Sequence, residues 1–473
     1  MNRSQVDLCV IGAGSAGLSV AAAAALVGRK VVLIERGAMG GECLNTGCVP
    51  SKALLAAAKA VHGAREAQHF GLEVSSSVDF ARVRDHVRGA IDAIAPHDSV
   101  ERFEGMGVEV IRETARFIAA RTVQAGERQI QAHRVVIATG SEAAIPSIDG
   151  LADVPYLTND TIFEIGELPR HLIILGGGPI GMELGQAFRR LGAQVTVIER
   201  DKAMPKDDPE LAQALLQRLA DEGIAIREHA NVTKVGPEGD GISVTVEETG
   251  QVSRITGSHL LIATGRKART SGLGLEAAGI KHNDHGIVVD EHLQTSARGV
   301  YAAGDVAGGP KFTHVCSYHA GIVAQNALFR IPAKVDYRAM PWVTYTDPEL
   351  AQVGMTEAQA REKLGDQVRV IRVPFAKNDR AQAEHKTEGL LKLIAHKNGR
   401  VVGATILGTN AGELAHWWVI AIQQGLKLRN LAQTFAPYPT WGELNKAAAS
   451  EFSKPLLTGA FTRNAARIMS WFP

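Results

Sequence analysis

Apolar runs of strand length, each closed by glycine, set the pattern of this chain. Residues 6–11 form such a run. Gly12-Ala13-Gly14-Ser15-Ala16-Gly17 closes it, and an alanine-rich stretch long enough for a helix follows. A second run, Val31-Val32-Leu33-Ile34, then ends in Glu35. The same order returns later. Residues 171–175 predict a strand, Gly176-Gly177-Gly178-Pro179-Ile180-Gly181 a turn, and the residues to Leu191 a helix. Val195-Thr196-Val197-Ile198 predicts a strand that ends in Glu199. In each copy the acid stands 23 residues after the first glycine.

These are the parts of a dinucleotide site. The first glycine (Gly12, Gly176) allows the tight turn. The second (Gly14, Gly178) lets a pyrophosphate approach the backbone, and the third (Gly17, Gly181) lets helix and strand pack closely. The helix N-terminus offers N–H groups and the positive end of its dipole to phosphates. Glu35 or Glu199 would accept hydrogen bonds from a ribose diol. Two copies in this context predict two dinucleotide sites. Residues 135–141 and 260–266 are apolar strands that run into Ala138-Thr139-Gly140 and Ala263-Thr264-Gly265, each placed where the chain returns at the end of such a unit. Residues 299–306 give another apolar strand, ending in Gly304-Asp305. From about Pro341 the pattern changes. Residues 341–345, 368–374, 390–395 and 401–407 predict strands, and 356–364 and 411–424 predict helices, an α+β arrangement.

Composition narrows the partners. A chain of 473 residues is long enough for about three domains with separate cores. A formal net charge of +1 argues against nucleic acid or an anionic membrane as partner. No apolar run approaches the roughly 18 residues of a spanning helix. Residues 21–25 look like the apolar part of a signal peptide, but their place between a glycine turn and a strand makes them the first helix of the unit. Four cysteines are too few for a secreted disulfide scaffold of this size. A cytoplasmic location is expected, where a close cysteine pair is catalytic rather than structural.

That pair lies in Gly40-Gly41-Glu42-Cys43-Leu44-Asn45-Thr46-Gly47-Cys48-Val49-Pro50-Ser51-Lys52. A thiolate, not a thiol, attacks a disulfide, and a helix N-terminus or a nearby cation favours it. Residues 49–60 are helix-prone, so Cys48 falls at or near a helix start and Lys52, one turn on, supplies a cation. A zinc site would need two more ligands, and no second close Cys/His pair stands out. Cys9 reads as a core residue of the first strand and Cys316 as an unreactive helix residue.

With two nucleotide fingerprints and this dithiol, the chain resembles the flavin-dependent pyridine nucleotide-disulfide oxidoreductases, the family of lipoamide dehydrogenase, glutathione reductase and mercuric reductase. The resemblance covers roughly residues 5–450. It implies an α/β fold of two Rossmann-like domains, for FAD and NAD(P), plus a C-terminal α+β dimerisation domain. The expected division is FAD domain at 1–150 and 269–340, NAD(P) domain at 151–268 and interface domain at 341–473. FAD would be held by Gly12, Gly14, Gly17, Glu35, Gly41, Thr139, Gly140, Asp305 and His314, with Asp305 on the ribityl chain. The pyridine nucleotide would be held by Gly176, Gly178, Gly181, Glu199 and Gly265. Glu199 favours NADH, since an acid repels a 2′-phosphate, while Arg200 and Lys202 leave NADPH open. The resemblance further implies that Cys43 is the interchange thiol that meets substrate and Cys48 the charge-transfer thiol. Lys52 would lie near flavin N5, paired with Glu183, and the enzyme would be a homodimer.

The chain departs from the family at its far end. Lipoamide dehydrogenase and glutathione reductase carry His-Pro-Thr…Glu there, and the histidine moves the substrate thiol's proton across the dimer interface. Here Pro437-Tyr438-Pro439-Thr440-Trp441-Gly442-Glu443 places Tyr438 at the histidine's position. Tyrosine, with a pKa near 10, is a poor base at neutral pH. Losing acid–base help typically costs on the order of 10²–10⁴ in rate. Mercuric reductase also has a tyrosine there, and passing a soft metal ion between thiolates has less need of a proton shuttle. Its C-terminal cysteine pair, however, is absent from residues 459–473, and no separate N-terminal metal-binding domain is expected. Glu443 is read either as a substitute base, should burial raise its pKa, or as a helix cap. Phe461, Ile468, Met469, Trp471 and Phe472 in the tail predict packing on a dimer.

The expected function is electron transfer between NAD(P)H, FAD, the Cys43–Cys48 pair and a small-molecule disulfide or dithiol, or a soft-metal thiolate. The reverse direction, dihydrolipoamide oxidation, stays open. Two alternatives are a diaphorase-like enzyme passing electrons from flavin to quinones or oxygen, and a redox-sensing subunit that is not an enzyme.

Overall fold

The computed structural model describes residues 2–457 and 459–471. Phe472 lies outside them, as do the side chains of residues 2, 3, 456, 457, 460 and 461, Phe461 among them, so the predicted tail packing is only partly within the described residues. Two sheets carry the duplicated pattern on their parallel strands. The first runs Val108–Ile111, Val31–Ile34, Asn2–Ile11, Arg128–Ile137, with Val300–Ala302 added beyond. The second runs Ile224–Arg227, Gln194–Ile198, His171–Leu175, His259–Ile262. Ile11 aligns with Ile34 on one side and Ile137 on the other. Leu175 aligns with Ile198 and Ile262 in the same way. Parallel strands covered on both faces are near-continuous apolar runs, which is why both units are visible in the sequence.

In each unit the next strands leave the central one in opposite directions, so the glycine turn opens at the crevice where ligands of such sheets bind. Gly12 has φ +102° and Gly176 φ +114°. A Cβ on Gly12 would lie 2.4 Å from Ala138 O, and one on Gly176 2.3 Å from Ala263 O. The first glycine of each fingerprint thus packs on the Ala-Thr-Gly segment of its own unit. The two segments then clasp each other. Ser141–Ala143 pairs antiparallel with Arg266–Ala268. Thr139 Oγ1 donates to Arg269 O at 2.8 Å, and Thr264 Oγ1 to Ala144 O at 2.8 Å.

The C-terminal part is an antiparallel sheet in the order Pro341–Thr344, Glu349–Gly354, Val401–Gly408, Leu390–His396, Val368–Pro374. Helix Ala411–Gln423 buries Leu414, Ala415, Trp418 and Ala421 in the core of this part. Buried Trp418 donates Nε1–H to Asn445 Oδ1 at 2.8 Å, satisfying its one polar atom. Helix Glu357–Leu364 starts one residue later than the pattern predicts, because Thr356 is its N-cap in a capping box with Gln359. The whole is the α/β architecture with a C-terminal α+β part that the sequence predicts. Among the described residues, no helix is long and apolar enough to cross a membrane.

Candidate active site

One cavity of about 2730 Å³ is lined by both glycine turns and by both cysteines. The turns are held alike. Glu35 accepts from Ala13 N at 2.6 Å and Gly37 N at 2.6 Å. Glu199 accepts from Gly177 N at 2.7 Å and Asp201 N at 2.9 Å. Each acid fixes its turn and still faces the cavity with unused lone pairs. Gly17 and Gly181 lie beneath, where a Cβ would be 1.9 Å and 2.1 Å from the carbonyls of Gly12 and Gly176. The middle glycines face space instead. A Cβ on Gly178 would meet nothing within 4 Å, and one on Gly14 only Gly41 Cα at 3.9 Å. Open backbone at a helix N-terminus fits a diphosphate, so both cradles fit dinucleotides.

The dithiol is set against the first cradle. Cys43 sits in the short helix Gly41–Asn45, and Cys48 is the first residue of helix Cys48–Glu66. A Cβ on Gly41 would be 2.7 Å from Gly14 Cα, so only glycine lets this segment lie on the fingerprint. Both cysteines are free thiols and share a hydrogen bond. Thr313, opening helix Thr313–Ala324, puts its hydroxyl between them, 3.2 Å from Cys43 Sγ and 3.3 Å from Cys48 Sγ. The bond from Cys43, joined by Thr313 and the charge of Lys52, outweighs burial and lowers the Cys48 thiol to about 6. The same bond, with burial, pushes Cys43 up. The pair is therefore asymmetric, with the thiolate at Cys48 and the proton at Cys43.

Lys52 Nζ donates to Glu183 Oε2 at 2.6 Å, bringing together helices 131 residues apart in sequence. Tyr345 N donates to Glu183 Oε1 at 2.9 Å, and the Tyr345 ring lies under Lys52 Nζ, 4.5 Å from the ring centre. Asp305 accepts from Ser141 Oγ at 2.5 Å. Arg266 donates Nε–H to Ser141 Oγ at 2.8 Å and lies 3.8 Å from Asp305 Oδ2. His314 lines the cavity, stacked on Phe312, with Nε2 at 2.9 Å from Pro341 O. Buried His319 accepts from Gly304 N at 3.1 Å and contacts Tyr337 Oη at 2.6 Å, and burial lowers its pKa to about 4. It is a neutral brace for the Gly304-Asp305 turn. Cys9 and Cys316 are pushed up to about 12 by burial and stay thiols.

Gly140, Gly265 and Thr139 reach the same cavity. Tyr438 and Glu443 do not line it. Tyr438, 71% exposed, donates to Asp379 Oδ2 at 3.0 Å, and that carboxylate raises its pKa. Glu443 Oε2 accepts from Thr440 N at 3.3 Å at the start of its own helix. Within one chain, then, these two stand apart from the dithiol. The sequence reading passed over Thr313, Tyr345, Ser141 and Arg266. A signal existed for the last two, which directly follow the two Ala-Thr-Gly segments. Thr313 and Tyr345 had none beyond lying beside His314 and at the end of a predicted strand.

Residues 6–320 match the family described as pyridine nucleotide-disulphide oxidoreductase, and residues 340–449 match that family's dimerisation domain. The chain is 39% identical over 453 residues to a mercuric reductase of Staphylococcus aureus, spanning 95% of this chain and 82% of that protein. It is 39% identical to a mercuric reductase of Streptomyces lividans, spanning 94% and 96%. A dihydrolipoyl dehydrogenase of Geobacillus stearothermophilus is 34% identical, spanning 94% and 96%. Among solved structures, the Cu(II) complex of the HOCl-induced flavoprotein disulfide reductase RclA from Escherichia coli superposes with a TM-score of 0.86 at 29% identity, covering 95% of this chain and 99% of that one.

Proposed function

This chain belongs to the pyridine nucleotide-disulphide oxidoreductases, enzymes whose family implies FAD and a pyridine nucleotide, and on that premise we propose that its Cys43–Cys48 pair reduces a thiol-bound soft metal ion or a small disulfide at the expense of NAD(P)H. Bound FAD would supply the two-electron link between nicotinamide and dithiol. The observation that carries the reading is the Thr313 hydroxyl between two sulfurs of unlike protonation, in the cavity both cradles share. Gly12, Gly14, Gly17 and Glu35 would hold the flavin's diphosphate and ribose, with Gly41, Thr139, Gly140, Asp305 and His314 around the rest. Gly176, Gly178, Gly181, Glu199 and Gly265 would hold the nicotinamide nucleotide. Cys43, which keeps its proton beside the Cys48 thiolate, would give that proton up as it attacks a substrate disulfide. Cys48 would then attack Cys43, releasing the second substrate thiolate and restoring the Cys43–Cys48 disulfide.

Substrate preference follows from who takes the Cys43 proton. In a homodimer, which the dimerisation domain supports, Tyr438 would face the partner's cavity. Its hydrogen bond to Asp379 holds the phenol protonated and so less available as a base at neutral pH, which favours metal-thiolate exchange over disulfide exchange. The chain spans 96% of the Streptomyces lividans enzyme, so its length does not set it apart from proteins of that name. Glu199 supports NADH as donor, and the cysteine usage supports a cytoplasmic site.

The test is steady-state oxidation of NADH and of NADPH with Hg²⁺ in excess thiol, lipoamide, glutathione disulfide and a quinone. Hg²⁺ should outpace lipoamide, by about 10²–10⁴ if the missing base is what limits disulfide turnover. Tyr438→His should raise lipoamide turnover while Hg²⁺ turnover changes little. Full retention of the best activity in Cys43→Ser would instead support direct transfer from flavin to the acceptor.

A further inference from the structure

Glu42 stands immediately before Cys43 and lines the cavity, with its side chain 25% exposed. Its Oε2 accepts from Arg266 Nη2, and its Oε1 from Asn159 Nδ2 at 3.0 Å. Arg266 is also the cation nearest Asp305, so two carboxylates share one guanidinium. The other charged groups around Glu42 are Asp160, on the turn that carries Asn159, and Lys311, which donates to Arg266 O at 2.5 Å. On its own helix Glu42 neighbours Cys43, a thiol that keeps its proton. Burial raises the Glu42 carboxyl to about 7 against the pull of Arg266.

A carboxylate here works against the cavity's anionic guest. Gly41 is packed on Gly14, so Glu42 is one residue from the contact between the dithiol segment and the diphosphate-binding turn. FAD brings a diphosphate that is fully ionised across the neutral range. Like charges in a partly desolvated site repel strongly, and a carboxylate beside another anion favours its neutral form. Protonating Glu42 also leaves the charge of Arg266 less cancelled, which favours an anionic ligand.

Resting on the reading that FAD fills the first cradle, we infer that Glu42 takes up a proton when FAD binds and is thereby a pH-dependent determinant of flavin affinity. The test is rebinding of FAD to apoprotein prepared from the holoenzyme, followed by flavin fluorescence between pH 5.5 and 8.5. Wild-type affinity should be level at the acid end and fall above about pH 7, by up to about tenfold per pH unit, the limit for one linked proton. Glu42→Gln should flatten the profile and bind FAD more tightly than wild type at pH 8.5. Glu42→Asp should keep a slope. A Glu42→Gln variant that retains the wild-type slope, or binds FAD more weakly at every pH, overturns the inference. Should that variant not fold, the temperature of flavin release from wild-type holoenzyme carries the same test. It should be higher at pH 6 than at pH 8.5, and equal values overturn the inference. No FAD binding by wild type at any pH would instead overturn the proposed function.

Discussion

In the first dinucleotide unit the helix after the glycine turn, Ser15–Leu26, buries alanines, Leu18 and Val20 and carries no charge. In the second, Pro179–Leu191 buries Glu183, Gln186 and Arg190 along one face. Counted from the first glycine, the corresponding residues of the first unit are Ser19, Ala22 and Leu26. The polar face receives residues 345–347 of the C-terminal part. Tyr345 N meets Glu183 at 2.9 Å. Gln186 exchanges two bonds with the Asp347 backbone, each 2.8 Å. Arg190 Nη1 reaches Asp347 Oδ2 at 2.9 Å, and its other nitrogens bond Glu222. Two copies of one cradle therefore serve different ends beyond the cradle itself. The first helix only packs, whereas the second ties the nucleotide turn to Lys52 and to the C-terminal sheet. Buried polar groups seldom add net stability over apolar ones, so the second helix's polar face holds geometry, fixing the Tyr345 ring under Lys52.

The harshest way to break this comparison is to spoil each cradle separately. Gly12→Ala and Gly176→Ala both force a Cβ within 2.4 Å of a carbonyl oxygen at positive φ, a cost of at least about 1–3 kcal/mol from strain alone. Gly12→Ala should purify with little flavin. Gly176→Ala should keep flavin, measured by absorbance, but lose rapid reduction by NADH in stopped flow. The opposite pattern would reverse the assignment of the two units. Next in size is Arg190→Met. Arg190 is 3% exposed, and removing one partner of a buried ion pair costs about 3–5 kcal/mol. Leu26→Ala, at the equivalent position and 79% exposed, should stay within about 0.5 kcal/mol. Denaturant unfolding of the two variants checks both.

Much of this was legible in the sequence because parallel strands bury both faces and glycine marks the turns. Both fingerprints, their acids and the cysteine pair are local patterns. The polar face of the second helix was not legible. Gln186 and Arg190 look like solvent-facing residues until residues 345–347 fold across them, with Asp347 161 and 157 positions away. Thr313 was missed for the same reason: a lone threonine at a helix start is ordinary unless two sulfurs from another segment arrive beside it.

Two smaller effects sharpen the picture at the dithiol, where the units meet. Thr313→Val removes a hydrogen-bond donor from the Cys48 thiolate, so the thiol pKa should rise from about 6 by about one unit. Lys52→Met should raise it less, since the charge of Lys52 favours the thiolate less than the Thr313 hydrogen bond does. The check is the pH profile of alkylation of the reduced enzyme. Reactivity falls as pH drops through the pKa, and the midpoint should move upward in both variants. A midpoint that stays put in Thr313→Val would mean the hydroxyl does not hold the thiolate.

The most direct test of a Cys48 thiolate poised between the two cradles is anaerobic titration of the holoenzyme with NADH at pH 8, following absorbance at long wavelength. One equivalent should raise a thiolate–flavin charge-transfer band in wild type. In Cys43→Ser, which has no disulfide to take the electrons, the band should be present before NADH is added and bleach with the flavin, and in Cys48→Ser it should be absent throughout. Flavin bleaching without such a band in wild type, or a band that survives in Cys48→Ser, would contradict the account.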